Sequence, residues 1–225
     1  KTNILKMITK AENQALRSSR SILISTPEQA RDVINRIHDY INSGPTEELV
    51  LGMDCEGLHK DKPLSLLQMF FKDTIYIFDV ISHNPFESGL KEILESNNCI
   101  KVFHDFCEDS AAIMRQYKVK AARVFDTQIA HRMLVKSEEK LTYKDNNVSL
   151  NSLLNIYLGT ENTMKSEISS EMAEDPSYWE HRPLTPKMIA YASQDVIFLP
   201  KVFEIFRGKL RASMVTEVFT ETSQC

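Results

Sequence analysis

The spacing of apolar and polar positions divides the chain into a polar lead-in, a block of closely spaced strands and a helix-rich remainder. Residues 1–20 are polar, carry no strong apolar stripe, and predict a helical extension or linker. The short apolar run at 21–25 has the character of a strand. Thr26-Pro27-Glu28-Gln29 then opens a helix: Thr26 caps it, Pro27 suits the first turn and Gln29 completes a capping box. Val33, Ile34, Ile37, Tyr40 and Ile41 recur at helical spacing as its buried face, and Ser43-Gly44-Pro45 ends it.

Three strand-like runs follow at 49–54, 64–71 and 74–80, and their short connections predict antiparallel hairpins. The pattern then changes to helix at 85–96, buried strand at 99–103, helix at 108–117, short strand at 123–125 and helix at 126–135. A helix at 150–157 and a long one entered through Thr185-Pro186 complete the series. Met188, Ala192, Val196, Leu199, Phe203 and Phe206 form the core stripe of the latter. Between them, 159–183 is polar and acidic, with Tyr178 and Trp179 as its large aromatic anchors. Hairpin-linked strands followed by alternating strands and helices predict an α/β fold, a mixed five-stranded sheet flanked by helices with a helical C-terminal part. The main domain is expected at 21–211, and 212–225 as a C-terminal tail.

Composition changes this picture little. With 225 residues, 42% hydrophobic and 26% charged, the chain suits one packed domain, and from its first residue, Lys, it is expected to be a piece of something longer. No apolar run approaches a membrane span, so no membrane partner is expected. Four cysteines (Cys55, Cys99, Cys107, Cys225) lack CxxC spacing and are expected as reduced thiols of a cytoplasmic or nuclear protein. The net charge of −4 argues against coating nucleic acid by bulk electrostatics, so any basic groove is local. Lys60/Lys62, Arg115/Lys118/Lys120/Arg123 and Arg207/Lys209/Arg211 are the candidate patches, although basic clusters of this size are more often solvated surface.

The chemistry lies in acids. Asp54 and Glu56 are two apart on a predicted strand and project from one sheet face, with Cys55 on the other. A lone DxE is commonly a solvated pair, but the apolar Val50, Leu51 and Met53 argue for a central strand. There two carboxylates are costly without ligands, and hard oxygen donors suit Mg²⁺ or Mn²⁺. Asp109 opens a helix directly after a buried strand, where α/β folds place ligands. An acid there also stabilises a helix dipole, and periodicity does not choose among Asp105, Glu108 and Asp109. Tyr191 and Asp195, one turn apart, share a helix face turned towards the sheet. The histidines show no HxxxH or HxH spacing and read as structural; His104 stands out by lying five residues before Asp109. No phosphate-binding glycine loop is present.

At these residues the chain resembles the DEDD 3′–5′ exonucleases, which have an RNase H-like fold. DCEG followed by LSLLQM and IYIFDV is similar to their first motif, and KVFHDFCEDSAAIMRQY to the second. WEHRPLTPKMIAYASQDVIFLP resembles the third in its tyrosine, RNase D-like form. VFDTQIAHRML and VSLNSLLNIYLG match connecting segments, and the look is nearest to Exd/Egalitarian-like domains. The resemblance spans roughly residues 22–208. It implies that Asp54, Glu56, Asp109 and Asp195 hold two divalent cations, Mg²⁺ or Mn²⁺, and that Tyr191 orients the attacking water. Leu58, His104 and Lys165 are implied to contact substrate, with Met69 and Phe70 as further, mainly core, candidates beside the terminal base. The implied activity is release of nucleoside monophosphates from single-stranded nucleic acid, RNA in preference to DNA. The alternative is a catalytically weak or inactive RNA-binding scaffold that dimerises or holds a protein partner. A third reading, an endonuclease or transposase relative, fits the tyrosine-form motif poorly. Phe106-Cys107 and the lack of a strongly basic groove depart from the family pattern.

Overall fold

The computed structural model describes residues 8–58, 62–137 and 147–225. Six strands form one sheet: β1 (Arg20–Ile24), β2 (Leu49–Glu56), β3 (Leu66–Phe71), β4 (Thr74–Asp79), β5 (Cys99–Phe103) and β6 (Val124–Asp126). Their order is β1-β4-β3-β2-β5-β6. β2, β3 and β4 are the expected antiparallel hairpins, and β5 and β6 extend the sheet in parallel from β2. The expected count of five is corrected by β1, which lies parallel to β4 with Arg20 opposite Thr74 and Ile24 opposite Phe78. A five-residue run carries too little pattern to name its partner, because ladder hydrogen bonds are made by backbone and not by side chains.

The helices are α1 (Lys10–Arg17), α2 (Pro27–Asn42), α3 (Lys91–Glu95), α4 (Cys107–Tyr117), α5 (Thr127–Ser137), α6 (Leu150–Leu158), α7 (Lys165–Glu174), α8 (Pro186–Val196), α9 (Leu199–Lys209) and α10 (Ala212–Thr222). α2 starts as predicted: the Gln29 amide donates to Thr26 Oγ1 at 3.3 Å, and the Thr26 amide to Gln29 Oε1 at 3.2 Å. The helix expected at 85–96 is a π-turn, Phe86–Leu90, running into α3, with Gly89 at φ 108° between the two senses of turn.

Side chains alternate across the strands, so the sheet separates two cores. Val33, Ile37, Leu51, Met53, Leu67 and Met69 fill one. Leu66, Phe70, Ile77, Val102, Ala192 and Phe203 fill the other, against the C-terminal helices.

Three further expectations change. The single long helix is two, α8 and α9, because Pro200 has no N–H to bond the carbonyl of Val196; every residue of its predicted core stripe is nevertheless buried. The expected tail is α10, which buries Val218 and sets Phe219 edge-on to Phe125 at 5.5 Å. Cys107 and Cys225 form a disulfide, 118 residues apart in sequence, because α10 returns the last residue to the start of α4; Cys55 and Cys99 are free and buried. The lead-in is docked, since Arg17 donates to Gln194 Oε1 (2.8 Å) and to the Glu161 carbonyl (2.6 Å), over the Phe198 ring. No helix of the described residues is long and apolar enough to cross a membrane.

Candidate metal centre and active site

Asp54 and Glu56 end β2 on the face that α8 covers, and Asp195 enters the same space from α8. One carboxylate oxygen from each lies within 4.8 Å of the others. Two local features place α8. Thr185 caps it, with Oγ1 accepting from the Met188 amide at 3.2 Å. Gly52, two residues before Asp54 on the same face, lets the backbone of Val196 come down onto β2. Tyr191, one turn before Asp195, is 1% exposed and carries its hydroxyl into the cluster.

Asp109 stands beside this trio and outside its closest approach. It is 4% exposed, while Asp105 and Glu108 are both exposed, so burial separates three acids that periodicity could not. Its carboxyl lies near the Cys55 thiol, and its Oδ1 is buried with no partner. An acid missed in the sequence, Asp126, aims this turn. Asp126 is buried and accepts from the amides of Asp105 (2.9 Å), Phe106 (3.0 Å) and Gln128 (2.8 Å), fixing the backbone that leads into α4.

Asn162 was likewise missed, because an Asn in a polar segment reads as a turn residue. Its Nδ2 donates to Asp195 Oδ1 at 2.9 Å, and its backbone is clamped by Asn151 through two hydrogen bonds of 2.8 and 2.9 Å. Lys165 opens α7 and donates from Nζ to Tyr191 Oη at 2.5 Å, bringing a basic group whose charge acts on Asp54, Glu56 and Asp195 together. Trp179 is buried as the expected anchor, 5.9 Å from the Tyr191 ring. Its segment is bolted to the sheet by Arg182, which grips Asp79 through Nε (2.7 Å) and Nη2 (2.6 Å).

The remaining candidates sort by contact. Both ring nitrogens of His104 are engaged by the protein: Nε2 faces the Val148 carbonyl and Nδ1 the Thr127 hydroxyl, each at 2.9 Å. Leu58 is half-buried against the core on the sheet face away from α8, and Met69 and Phe70 are core residues. Of the basic patches, Lys62 is paired with Glu180 at 2.6 Å, Arg123 with Glu48, and Arg207 lies over Phe203. Lys60 and His59 lie outside the described residues.

Electrostatics make the four acids a single problem. Burial, then the charges of Asp109, Glu56 and Asp195, push Asp54 well above the usual carboxylate range. Glu56 is raised well above it by burial and then by Asp195, and Asp195 is raised by burial against the opposing pull of Lys165 and Asn162. Burial moves Asp109 to about 7. Carboxylates packed this closely cannot all ionise in the absence of positive charge. Among the described residues no protein donor reaches Asp54 or Glu56, and Asp109 has an orphaned oxygen. An all-oxygen set with this excess negative charge fits hard divalent cations, and two of them would balance four carboxylates.

With this geometry in place, the likeness to known proteins is informative. The 3′–5′ exonuclease family profile matches residues 22–211, and the chain belongs to that family. It is 31% identical over 140 residues to the piRNA biogenesis protein EXD1 of Bombyx mori, covering 61% of this chain and 42% of that protein. It is 31% identical over 176 residues to an Egalitarian protein homolog of Caenorhabditis elegans, covering 74% of this chain and 30% of that one. The chain thus spans less than half the length of these relatives. In fold it superposes on Trypanosoma brucei RNase D with a TM-score of 0.77 at 20% identity, over 93% of this chain and 72% of that one. The same enzyme complexed with RNA U12 matches with a TM-score of 0.75, again at 20% identity, over 95% and 72%.

Proposed function

We propose that this domain is a metal-dependent 3′–5′ exoribonuclease that releases nucleoside monophosphates. The observation that carries the reading is the convergence of Asp54, Glu56 and Asp195, with Asp109 and the Tyr191 hydroxyl alongside, from three separate parts of the chain. Membership of the exonuclease family and a neighbour crystallised with RNA support it. The relatives named for piRNA biogenesis favour RNA over DNA as the substrate class.

The chain's own groups divide the work. Asp54, Glu56, Asp109 and Asp195 would hold Mg²⁺ or Mn²⁺, which when bound supplies Lewis-acid stabilisation of phosphoryl charge and eases deprotonation of water. Burial, then the charges of Asp195, Glu56 and Asp54, push the Tyr191 hydroxyl far up, so it stays protonated and acts as a hydrogen-bond donor. Lys165 donates to the same oxygen and so fixes where the hydroxyl points, and the hydroxyl in turn would orient the attacking water, a positioning role. Asn162 holds Asp195 in register. The full complement of acids with its tyrosine argues for catalysis over a decayed scaffold.

The test is a time course on 5′-labelled single-stranded RNA in Mg²⁺ or Mn²⁺. Stepwise shortening from the 3′ end, abolished in Asp54→Asn and Asp195→Asn and by a 3′ block, is expected. Equal rates in wild type and variants would sink the site assignment, and cleavage of the 3′-blocked RNA would indicate an endonuclease. RNA binding with no shortening by the wild type would favour the scaffold.

A further inference from the structure

One buried polar group near the cluster has no role so far. β3 reads Leu-Leu-Gln-Met-Phe-Phe, and every residue of it is buried. Gln68 is its lone polar member, 0% exposed, and neither its Nε2 nor its Oε1 has a partner. A buried amide left unpaired is destabilising, and an apolar residue of the same shape would avoid that cost. In the β2–β3 register Gln68 is directly opposite Asp54. Directly opposed residues share a sheet face with β-carbons about 5 Å apart, so this amide is within a side chain's reach of the Asp54 carboxyl. Its flanking same-face neighbours, Leu66 and Phe70, are apolar core. Asp54 itself receives no protein donor among the described residues, although Asp195 has Asn162.

We propose that Gln68 is a positioning residue for the metal centre, its Nε2 donating to the carboxylate oxygen of Asp54 that a bound cation leaves free. This rests on the reading of Asp54 as a cation ligand. The Asp54 carboxylate offers this amide a charged acceptor on its own sheet face, and a charge-assisted hydrogen bond is about twice as strong as a neutral one. Gln68 then plays for Asp54 the part that Asn162 plays for Asp195, and each carboxylate is aimed by one buried amide. Partners of this kind are worth about 10–100-fold in metal affinity.

The experiment uses Mn²⁺ as the probe and Gln68→Met, which keeps length and removes the donor. Mn²⁺ titration by calorimetry and thermal unfolding in EDTA are measured on wild type, Gln68→Met and Asp54→Asn. The expected result is Mn²⁺ binding weakened about 10-fold or more, with a metal-free Tm equal to or above that of the wild type. Unchanged Mn²⁺ affinity in Gln68→Met overturns the proposal while leaving the proposed nuclease site intact. A lowered metal-free Tm also overturns it, since the amide would then be satisfied within the fold. Absence of Mn²⁺ binding to the wild type, or wild-type affinity in Asp54→Asn, removes the site reading and this inference with it.

Discussion

The carbonyl oxygen of Val196 lies 2.3 Å from where a β-carbon on Gly52 would stand, with Pro200 Cδ at 2.9 Å from the same point. The break between α8 and α9 is therefore seated in the surface of β2, two residues before Asp54. Pro200 frees the Val196 carbonyl from helical hydrogen bonding, and Gly52 gives it room. This junction fixes the distance between the strand acids and Asp195. Gly52→Ala is expected to push α8 off β2, destabilising the domain by about 1–3 kcal/mol through overpacking. It should also depress nuclease activity more than that stability loss explains. Urea unfolding and RNA decay on the same preparation check both parts.

Metal-free stability should depend on pH with a sign set by the raised carboxyls. A carboxyl with a folded-state pKa above its unfolded value binds protons in the native protein that the unfolded chain releases. Its contribution is complete below the unfolded pKa of about 4 and lost as pH rises through the folded value, about 7 for Asp109. In EDTA the Tm is expected to fall as pH rises from about 5 to about 8. Saturating Mg²⁺ or Mn²⁺ should remove that slope, because a bound cation favours the ionised acids. A flat EDTA profile would show that the acids are not held protonated.

The same argument predicts that Asp54→Asn stabilises the protein it inactivates. Replacing one crowded acid by its neutral isostere removes the cost of holding that site protonated at neutral pH, a cost set by burial and by the charges of Asp109, Glu56 and Asp195. A gain of about 2–4 °C in metal-free Tm, roughly 1 kcal/mol for a chain of this size, is expected by differential scanning fluorimetry.

Lys165→Met removes the donor that pins the Tyr191 hydroxyl. Misorientation of the tyrosine should lower the single-turnover rate about 10–100-fold. Lys165→Arg is expected to recover part of that loss. Near-UV circular dichroism of the Trp179–Tyr191 pair reports whether the ring itself has moved.

Arg182→Met tests the strut that holds the Trp179 segment. Burial alone would raise Asp79, but the two-pronged grip of Arg182 and the bonds from Ser82 hold it below the usual range. Taking away the arginine strands a nearly buried carboxylate and is expected to cost about 3–5 kcal/mol in denaturant unfolding.

Local pattern is enough to give the strand that carries Asp54 and Glu56, the helix start at Thr26 and the core stripe from Met188 to Phe206. Each of these is written locally, in a two-residue or 3.6-residue period or in a cap. It also placed Asp54 and Glu56 on one face and Tyr191 one turn before Asp195, since those relations depend only on backbone geometry. The choice of Asp109 over Asp105 and Glu108 came from family resemblance alone, and the structure distinguishes the three by burial. Other relations become visible once the elements are assembled: β1 pairs with β4, Pro200 splits a helix whose freed carbonyl lands on Gly52, α10 returns Cys225 to Cys107, and Asn162, Asp126 and Gln68 lie around the acids. The physical reason is common to all of these. Backbone pairing, close approach and hydrogen bonds between distant side chains are set by where elements meet in space, and a residue's neighbours in sequence carry no record of that meeting.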